Sequence, residues 1–244
     1  MAQRTHHTLP EVPLTSLDDY VSAGGLSGLE AARSADPDTT ITWIERSGLR
    51  GRGGAGFPTG TKWRSVAEIA ETTDRVSVVV NAAEGEPGTF KDRALLRTNP
   101  FLVLEGAMIA ALAVGSPRIV VATKAAYRVE VATVENAVGQ LAEAGHLADT
   151  EVVIVEGPDH YLFGEETAML EVIEGEDPLP RHLPPYVYGL FTTSPQMGWS
   201  AGVDASTSGP SVASSNPALV NNVETYAHVA LVCRNGADWY RTCL

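Results

Sequence analysis

The chain has 244 residues, of which 44% are hydrophobic and 19% are charged. A globular chain of this size can bury an ordinary hydrophobic core, so it needs neither a disulfide framework nor a structural metal. The formal net charge of −13 argues against nonspecific nucleic-acid binding, because phosphate contacts require a basic face. The two cysteines, Cys233 and Cys243, cannot supply the four thiolates of an iron–sulfur cluster, so the sequence predicts neither a cluster nor a metal site in this chain.

Cysteine usage and hydropathy also bear on location. The low cysteine count and the lack of a basic-then-apolar leader predict a cytoplasmic protein. The longest apolar stretch, residues 101–115, is interrupted by Glu105 and is too short to span a bilayer. We therefore do not expect an integral membrane protein.

The predicted elements begin after a polar N-terminal segment. Residues 1–38 contain three prolines and are typical of an arm that lies on a neighbour or is partly disordered. Beyond it, the hydrophobic spacing predicts helices and strands in alternation. The helices are predicted at 40–47, 63–71, 101–114 and 127–144, and the strands at 76–81, 118–122 and 151–155. This alternation predicts an α/β fold over residues 39–190, with a Rossmann-like layered parallel sheet and crossover helices.

Two segments follow this α/β domain. Residues 191–217 are rich in Ser, Gly and Ala and predict a long loop, either a surface insertion or a cover for a partner. Residues 218–244 begin with an apolar segment at helical spacing that ends near Cys233, which predicts a C-terminal helix. Since nothing follows this helix, we expect the natural protein to continue.

The strongest chemical signal is the glycine-rich segment GRGGAGFPTGTKW, residues 51–63. It matches G-x-G-x-x-G formally, but a helix precedes it where the dinucleotide fingerprint needs a strand, and the residues beside Lys62 exclude a P-loop. Its glycines can offer backbone N–H groups to an anion or lie flat on an aromatic ring. Arg52 and Lys62 add cations for phosphate, and Phe57 adds a ring for stacking. The alternative is a tight connecting loop in which glycine serves sterics alone.

Three further segments carry polar side chains near predicted element ends. NAAEGEPGTFKDR starts with Asn81 at the end of the first strand, where open parallel sheets bind ligands, and its acids Glu84 and Glu86 could take ribose hydroxyls. YLFGEET, residues 161–167, follows the third strand, and a pair of asparagines at 221–222 lies near the start of the last helix. The structural alternatives are a solvated turn closed by ion pairs of Lys91 and Arg93, a favourable helix start, and helix caps.

In this order, the four segments resemble those of the NADH-binding flavoprotein subunit of bacterial respiratory complex I. The same family occurs in NAD-reducing hydrogenases and NAD-dependent formate dehydrogenases. The resemblance covers about residues 47–240, and its motifs GRGGAGFPTG, NA-EGEPGTFKDR, GEETA and VNNVET are together highly specific. It implies noncovalently bound FMN, with NADH stacked on the flavin so that hydride passes between them.

The resemblance also implies partners and site residues. The implied partner is an iron–sulfur electron-transfer subunit or a missing C-terminal half, and attachment to the inner face of the membrane through a complex is an alternative to a free cytoplasmic location. Glu86 and Glu166 are the implied catalytic residues, and both they and Phe57 are expected to contact NADH. The implied cofactor-binding residues are Gly51, Arg52, Gly53, Gly54, Gly56, Phe57, Lys62, Asn81, Glu84, Tyr161, Gly164, Glu165, Asn221, Asn222 and Thr225.

Four positions depart from the family pattern. Ala83 stands in place of an Asp near the flavin, Ser65 in place of an adenine-stacking Phe, Leu183 in place of a Lys, and Tyr186 in place of a Phe. One lost stack and one lost charged contact, at about 1–3 kcal/mol each, predict weakened NADH binding. The leading hypothesis is an FMN-dependent NADH dehydrogenase module. The alternatives are a flavin-binding or empty accessory subunit and a generic nucleotide-binding regulator.

Overall fold

A computed structural model describes residues 8–73, 75–190 and 216–243. Most of the predicted Ser/Gly/Ala-rich loop, residues 191–215, lies outside the described residues. Within the described ranges, the strands are β1 (Ser77–Ala82), β2 (Arg118–Lys124), β3 (Glu151–Gly157) and β4 (Ala218–Asn222). The helices are α1 (Leu17–Ser22), α2 (Ser27–Ser34), α3 (Pro37–Ser47), α4 (Thr59–Ala70), α5 (Lys91–Thr98), α6 (Pro100–Val114), α7 (Arg128–Glu143), α8 (Glu166–Ile173), α9 (Val223–Asn235) and α10 (Ala237–Cys243), with a 3₁₀ turn at Tyr161–Gly164.

The four strands form one parallel sheet in the order β3-β2-β1-β4. Strand β1 pairs on both sides, and its Val79 lies opposite Val120 of β2 and Val220 of β4. β-branched residues suit strands that are buried on both faces, since their stiff side chains pack well on a pleated surface. The predicted α/β fold with a parallel sheet and crossover helices is confirmed.

Helix α6 lies at the centre of the core. All of its residues except Leu112 are buried, so it has no polar face, as expected for a helix surrounded by other elements. Glycine allows its close approach to α9, because a Cβ at Gly106 would lie 1.9 Å from the carbonyl oxygen of Tyr226. Among the described helices, none is by itself long and apolar enough to cross a membrane; α5 and α6 meet the criterion only as a pair bent by 98°.

The N-terminal region differs from the predicted arm. Helices α1 and α2 pack on the core, and Tyr20 and Leu29 are fully buried. The carboxylate of Glu105 in α6 accepts hydrogen bonds from the Tyr20 hydroxyl and from the backbone N–H groups of Leu26 and Leu29, the latter two at 3.0 Å. The region is polar on average, so composition did not indicate the few apolar residues that anchor it. Nor could it indicate the contact with Glu105, which lies far along the chain.

The predicted helix at the C-terminal end is wrong at its start. Residues Ala218–Asn222 form β4, and the helix α9 begins only at Val223. A five-residue run with three apolar members fits both helical and strand spacing, so pairing with β1 decides between them. Helix α5, Lys91–Thr98, was not among the predicted helices.

Candidate functional site

Two adjoining cavities, of about 670 and 310 Å³, lie at the carboxyl ends of β1 and β4. In an open parallel sheet this edge is where ligands bind, and the volumes suit a small-molecule site. Asn81 at the end of β1 lies in register with Asn222 at the end of β4. The two side chains that the sequence placed 141 positions apart are therefore neighbours in the sheet.

Every residue assigned to a site from the sequence lines one of these cavities. The larger cavity is lined by Arg52, Gly54, Glu84, Glu86 and Tyr161, and the smaller by Gly51, Gly56, Phe57, Lys62, Glu166, Asn221 and Thr225; Gly53, Asn81, Gly164, Glu165 and Asn222 line both. The structure thus brings all four segments together. The role of each residue toward a ligand stays a prediction.

The glycine-rich loop forms a wall shared by both cavities. It folds back on itself, since the N–H of Gly51 donates to the Phe57 carbonyl at 2.9 Å. Gly54 and Gly56 have φ angles of 112° and 62°, a region that residues with a Cβ rarely adopt. The backbone N–H of Arg52 donates to Thr225 Oγ1 at 2.9 Å, which anchors the loop on the first turn of α9.

Three cations line the cavities, and their ion pairs differ. Lys62 Nζ lies 2.6 Å from Glu166 Oε1 and also donates to the Val220 carbonyl. Lys91 Nζ lies 2.7 Å from Asp92 Oδ1. Arg52 has no carboxylate partner in the described ranges, and its guanidinium reaches only the Tyr240 hydroxyl, at 3.4 Å. Arg52 is therefore the lining cation most open to an anionic ligand.

The two predicted catalytic acids lie in different cavities. Glu86 lines the larger cavity, where its carboxylate accepts a hydrogen bond from the Tyr161 hydroxyl at 2.8 Å. This hydrogen bond raises the pKa of the Tyr161 phenol. Glu166 lines the smaller cavity and is held by Lys62. Exposed rings flank the site, since Phe57 is 55% and Tyr161 64% exposed.

Glu84 and Glu165 make the structural contacts that were the alternatives in the sequence analysis. Glu84 accepts from the backbone N–H of Asp92 at 3.2 Å and from Arg93 Nε at 3.4 Å, and so stabilises the first turn of α5. Glu165 caps α8, since its carboxylate accepts from the N–H groups of Thr167 and Ala168 at 2.9 and 2.8 Å. Both carboxylates are thus occupied at helix starts beside the cavities.

The adjacent asparagines 221 and 222 differ in their hydrogen bonds. Asn222 caps α9, and its Oδ1 accepts from the N–H of Glu224 at 3.0 Å. Asn221 is only 7% exposed, and its Nδ2 is buried without a hydrogen-bond partner in the described residues. A buried donor without a partner costs free energy, so this position is suited to a ligand that brings an acceptor.

Lys91 and Asp92 line the larger cavity but were not among the predicted site residues; an ion pair of Lys91 that closes a solvated turn was only the structural alternative for this segment. Asp92 is 3% exposed, and burial raises its pKa above the usual value. The sequence does contain a signal for a helix here: in KDRALLRT an acid, Asp92, comes shortly before the apolar residues Leu95 and Leu96, as in the first turn of a helix. That signal predicts a helix start, but not the cavity beside it.

Of the four departures, Ala83 alone lines a cavity. Ser65 lies on α4, and its hydroxyl donates to the Thr61 carbonyl at 3.2 Å. Tyr186 is 43% exposed. The described residues include no group of three His, Cys, Asp or Glu side chains arranged to hold a metal ion.

The fold and the site define an α/β protein whose polar residues converge at the carboxyl edge of a parallel sheet. A family model described as the Nuo51 FMN-binding domain matches residues 44–231, and the chain belongs to this family. An NADH-quinone oxidoreductase subunit of Aquifex aeolicus (strain VF5) is 34% identical over 235 residues, which cover 93% of this chain and 49% of that protein.

A second relative and a solved structure point the same way. A subunit of the NADP-reducing hydrogenase of Solidesulfovibrio fructosivorans is 34% identical over 92% of this chain and 43% of its own length. The structure of an NAD⁺-reducing nickel–iron hydrogenase in the H₂-reduced state matches with a TM-score of 0.72 and 32% identity, over 98% of this chain and 37% of that chain. The chain spans about half the length of the curated relatives it matches.

Proposed function

We propose that the chain binds FMN in the two adjoining cavities and passes hydride from NADH to it. The observation that carries this proposal is that all four sequence segments converge on these cavities. Membership of a family described by FMN binding supports the choice of cofactor. The names of the relatives, which include NAD- and NADP-dependent complexes, support a nicotinamide nucleotide as the substrate.

The residues present fit a flavin nucleotide. The unpartnered Nδ2 of Asn221 needs an acceptor, which flavin and phosphate both offer in quantity. Arg52 has no carboxylate partner in the described part of the chain and would bind a phosphate, and the glycine loop beside it allows close approach of the backbone. When bound, FMN supplies a two-electron acceptor for hydride that can return the electrons singly.

The chain's own residues would also orient the nicotinamide nucleotide. Phe57 presents a half-exposed ring on which a base can stack. Glu86 and Glu166 line the cavities and would accept hydrogen bonds from ribose hydroxyls, and Lys62 holds the carboxylate of Glu166. Ser65 and Leu183 stand where the family has a stacking Phe and a Lys, so we expect weaker NADH binding than in a relative that retains these contacts.

The phosphate contact is tested by comparing FMN with riboflavin, which lacks the phosphate. Arg52→Met should weaken FMN binding by about 10- to 100-fold, as for a lost charged hydrogen bond, and should affect riboflavin little. Arg50→Met is the matched control, because Arg50 is an exposed arginine of the same loop that lines neither cavity. Failure of folded wild-type protein to quench FMN fluorescence would overturn the proposal.

The hydride step is tested anaerobically by bleaching of the bound flavin with NADH. Glu166→Gln should raise the NADH concentration required for half-maximal bleaching, while FMN is retained. The double change Ser65→Phe with Leu183→Lys should lower this NADH concentration. Parallel loss of FMN and NADH in Glu166→Gln would instead assign the acid a structural role, and an unreactive flavin in every variant would favour an accessory subunit without hydride chemistry.

We propose further that an iron–sulfur partner takes the electrons onward. FMN can divide the two electrons of a hydride, but the two cysteines of this chain cannot supply the four thiolates of a cluster that would carry single electrons onward. The isolated chain should therefore reduce a ferredoxin slowly and small dyes faster. Equal rates of ferredoxin reduction with and without a cluster-bearing partner would contradict this division.

A further inference from the structure

Asn222 is held by three charged residues, Lys91, Asp92 and Glu224, which we call the Asn222 clamp. Asn222 Oδ1 accepts from Lys91 Nζ at 2.9 Å and from the Glu224 N–H at 3.0 Å. Asn222 Nδ2 donates to Asp92 Oδ2 at 2.6 Å. Lys91 Nζ also lies 2.7 Å from Asp92 Oδ1 and 3.1 Å from Glu224 Oε2. The clamp joins the first turn of α5 to the junction between β4 and α9.

The clamp permits one orientation of the Asn222 amide. With the amide turned over, its NH₂ group would face the Lys91 ammonium and the Glu224 N–H, which are both donors. Its oxygen would face the Asp92 carboxylate, which is an acceptor when ionised. Both contacts would be repulsive in a site where Asp92 is only 3% exposed, so the donors and acceptors around the amide exclude this orientation.

The allowed orientation determines what Asn222 can still bind. Its oxygen already accepts from two donors, so both lone pairs are used. One of the two hydrogens on Nδ2 is given to Asp92, and the second has no partner in the described part of the chain. Asn222 lines both cavities, and the neighbouring Asn221 also has a buried Nδ2 without a partner among the described residues.

We propose that Lys91 and Asp92 are positioning residues that hold the Asn222 amide as a donor toward an acceptor group of the cofactor. This inference rests on the proposed function, because the acceptor it requires is one of those of FMN. Neither Lys91 nor Asp92 needs to touch the cofactor for this role. The specificity is for a ligand with an acceptor at this point, and a ligand with a donor there is excluded.

The first test compares two isosteric replacements of buried acids. Asp92→Asn keeps the shape but removes the charge that holds Asn222 Nδ2, and should weaken FMN binding about tenfold or more. Glu130→Gln is the matched control. Glu130 lies on α7, is 1% exposed and lines neither cavity, and it pairs with Arg97, which is on the same helix as Asp92. This control should lower stability but leave FMN affinity within about twofold. Equal FMN affinity in Asp92→Asn and wild type would overturn the inference.

A second pair of variants separates positioning from simple structural support. Lys91→Arg keeps a cation that can reach Asp92 and Asn222, and should retain FMN affinity. Lys91→Met removes the donor to Asn222 Oδ1 and should lose affinity to a similar extent as Asp92→Asn. The folded fraction of each variant is measured by near-ultraviolet circular dichroism. If Lys91→Met and Asp92→Asn lowered FMN affinity only in proportion to this fraction, the role of the two residues would be structural and the inference wrong.

A third measurement does not involve the cofactor. The side-chain amide resonances of Asn222 in the ¹⁵N spectrum of the flavin-free chain should be shifted downfield by the Asp92 carboxylate, and should move in Asp92→Asn but not in Glu130→Gln. Unmoved resonances in Asp92→Asn would contradict the clamp. If wild-type protein fails to bind FMN, the proposed function fails, and this spectrum still decides the orientation of the amide.

Discussion

Buried charges fix the position of whole segments in this protein. Glu105 is fully buried, and its carboxylate accepts hydrogen bonds from four donors. These are the Tyr20 hydroxyl, the backbone N–H groups of Leu26 and Leu29, and Arg234 Nη2, the last at 3.2 Å. Burying an ion is tolerated only when its hydrogen bonds are complete, and each donor here comes from a different part of the N- or C-terminal region. A single residue of α6 thus orders α1, α2 and the end of α9.

The residue Glu224 should control stability at acid pH. Burial alone would raise its pKa, but the hydrogen bond from His228 and the charge of Lys91 outweigh burial and lower the pKa from 4.5 to about 2. A carboxylate with a lowered folded-state pKa contributes stability that is present above pH 4.5 and is lost as the pH falls toward 2. Since Glu224 is partly exposed, solvent screening reduces this contribution to about 1–2 kcal/mol.

We therefore expect Glu224→Gln to flatten the acid limb of the stability profile. The free energy of unfolding, measured by urea between pH 2 and 7, should be lower than wild type at pH 7 and converge with it near pH 2. Glu135→Gln is the control, because Glu135 is exposed and makes no ion pair in the described residues. A constant difference between Glu224→Gln and wild type across this range would contradict the assignment.

At the scale of elements, the contact of α6 with α9 depends on a missing side chain. A Cβ at Gly106 would overlap the Tyr226 carbonyl, whereas a Cβ at Gly139 on α7 would meet nothing within 4 Å. Gly106→Ala should destabilise the protein by about 1–3 kcal/mol or more through overpacking. Gly139→Ala should stabilise it by about 0.5–1 kcal/mol, because alanine has the better helix propensity. If the thermal midpoints of both variants moved in the same direction, the contact of α6 with α9 would not depend on the missing side chain at Gly106.

Strand β3 is an edge of the described sheet, and its hydrogen-bond pattern gives a second element-scale prediction. The N–H of Glu151 donates to the Pro117 carbonyl and the carbonyl of Gly157 accepts from Ala125, so alternate residues from 151 to 157 bond toward β2. The N–H of Val155 therefore belongs to the ladder, and that of Glu156 points to the open side.

Proline should accordingly be tolerated at one of two adjacent positions. Glu156→Pro removes an N–H that has no strand partner in the described sheet, and should cost less than about 1 kcal/mol. Val155→Pro removes a ladder hydrogen bond and should cost about 3 kcal/mol or more. Urea unfolding of the two variants measures the difference, and equal destabilisation would place both N–H groups in the same environment.

At the scale of the whole molecule, the N-terminal helices should be essential for stability. Removing residues 1–35 keeps Asp36, which caps α3, but deletes the donors of Tyr20, Leu26 and Leu29 to Glu105. Leaving a buried charge without these partners costs about 3–5 kcal/mol, a large part of a typical domain stability. The shortened chain should have a much lower urea midpoint or fail to fold.

The cause of that loss can be separated from the loss of apolar packing. In the shortened chain, Glu105→Met should recover part of the stability, because no unpaired carboxylate remains. In the full-length chain, the same substitution should be destabilising. An unchanged urea midpoint in the shortened chain would restore the interpretation of this region as a dispensable arm.

The sequence by itself determined three of the four described strands and the location of the site. Strands β1 to β3 were predictable because runs of β-branched residues, such as Val78–Val80, favour a strand over a helix or a turn. The motif residues of the site were predictable because each motif is local and follows the end of a strand or helix. Parallel strands necessarily bring their carboxyl ends to one edge, so local signals were sufficient to predict convergence there.

Only the tertiary structure decided which of several local options each ambiguous residue takes. Residues 218–222 became a strand through pairing with β1, and helices α1 and α2 were fixed on the core by a carboxylate about 80 positions away. The Asn222 clamp likewise joins residues about 130 positions apart. Short amphipathic segments have too little intrinsic preference to decide alone, and their free energies are set by partners whose distance along the chain leaves no local signal.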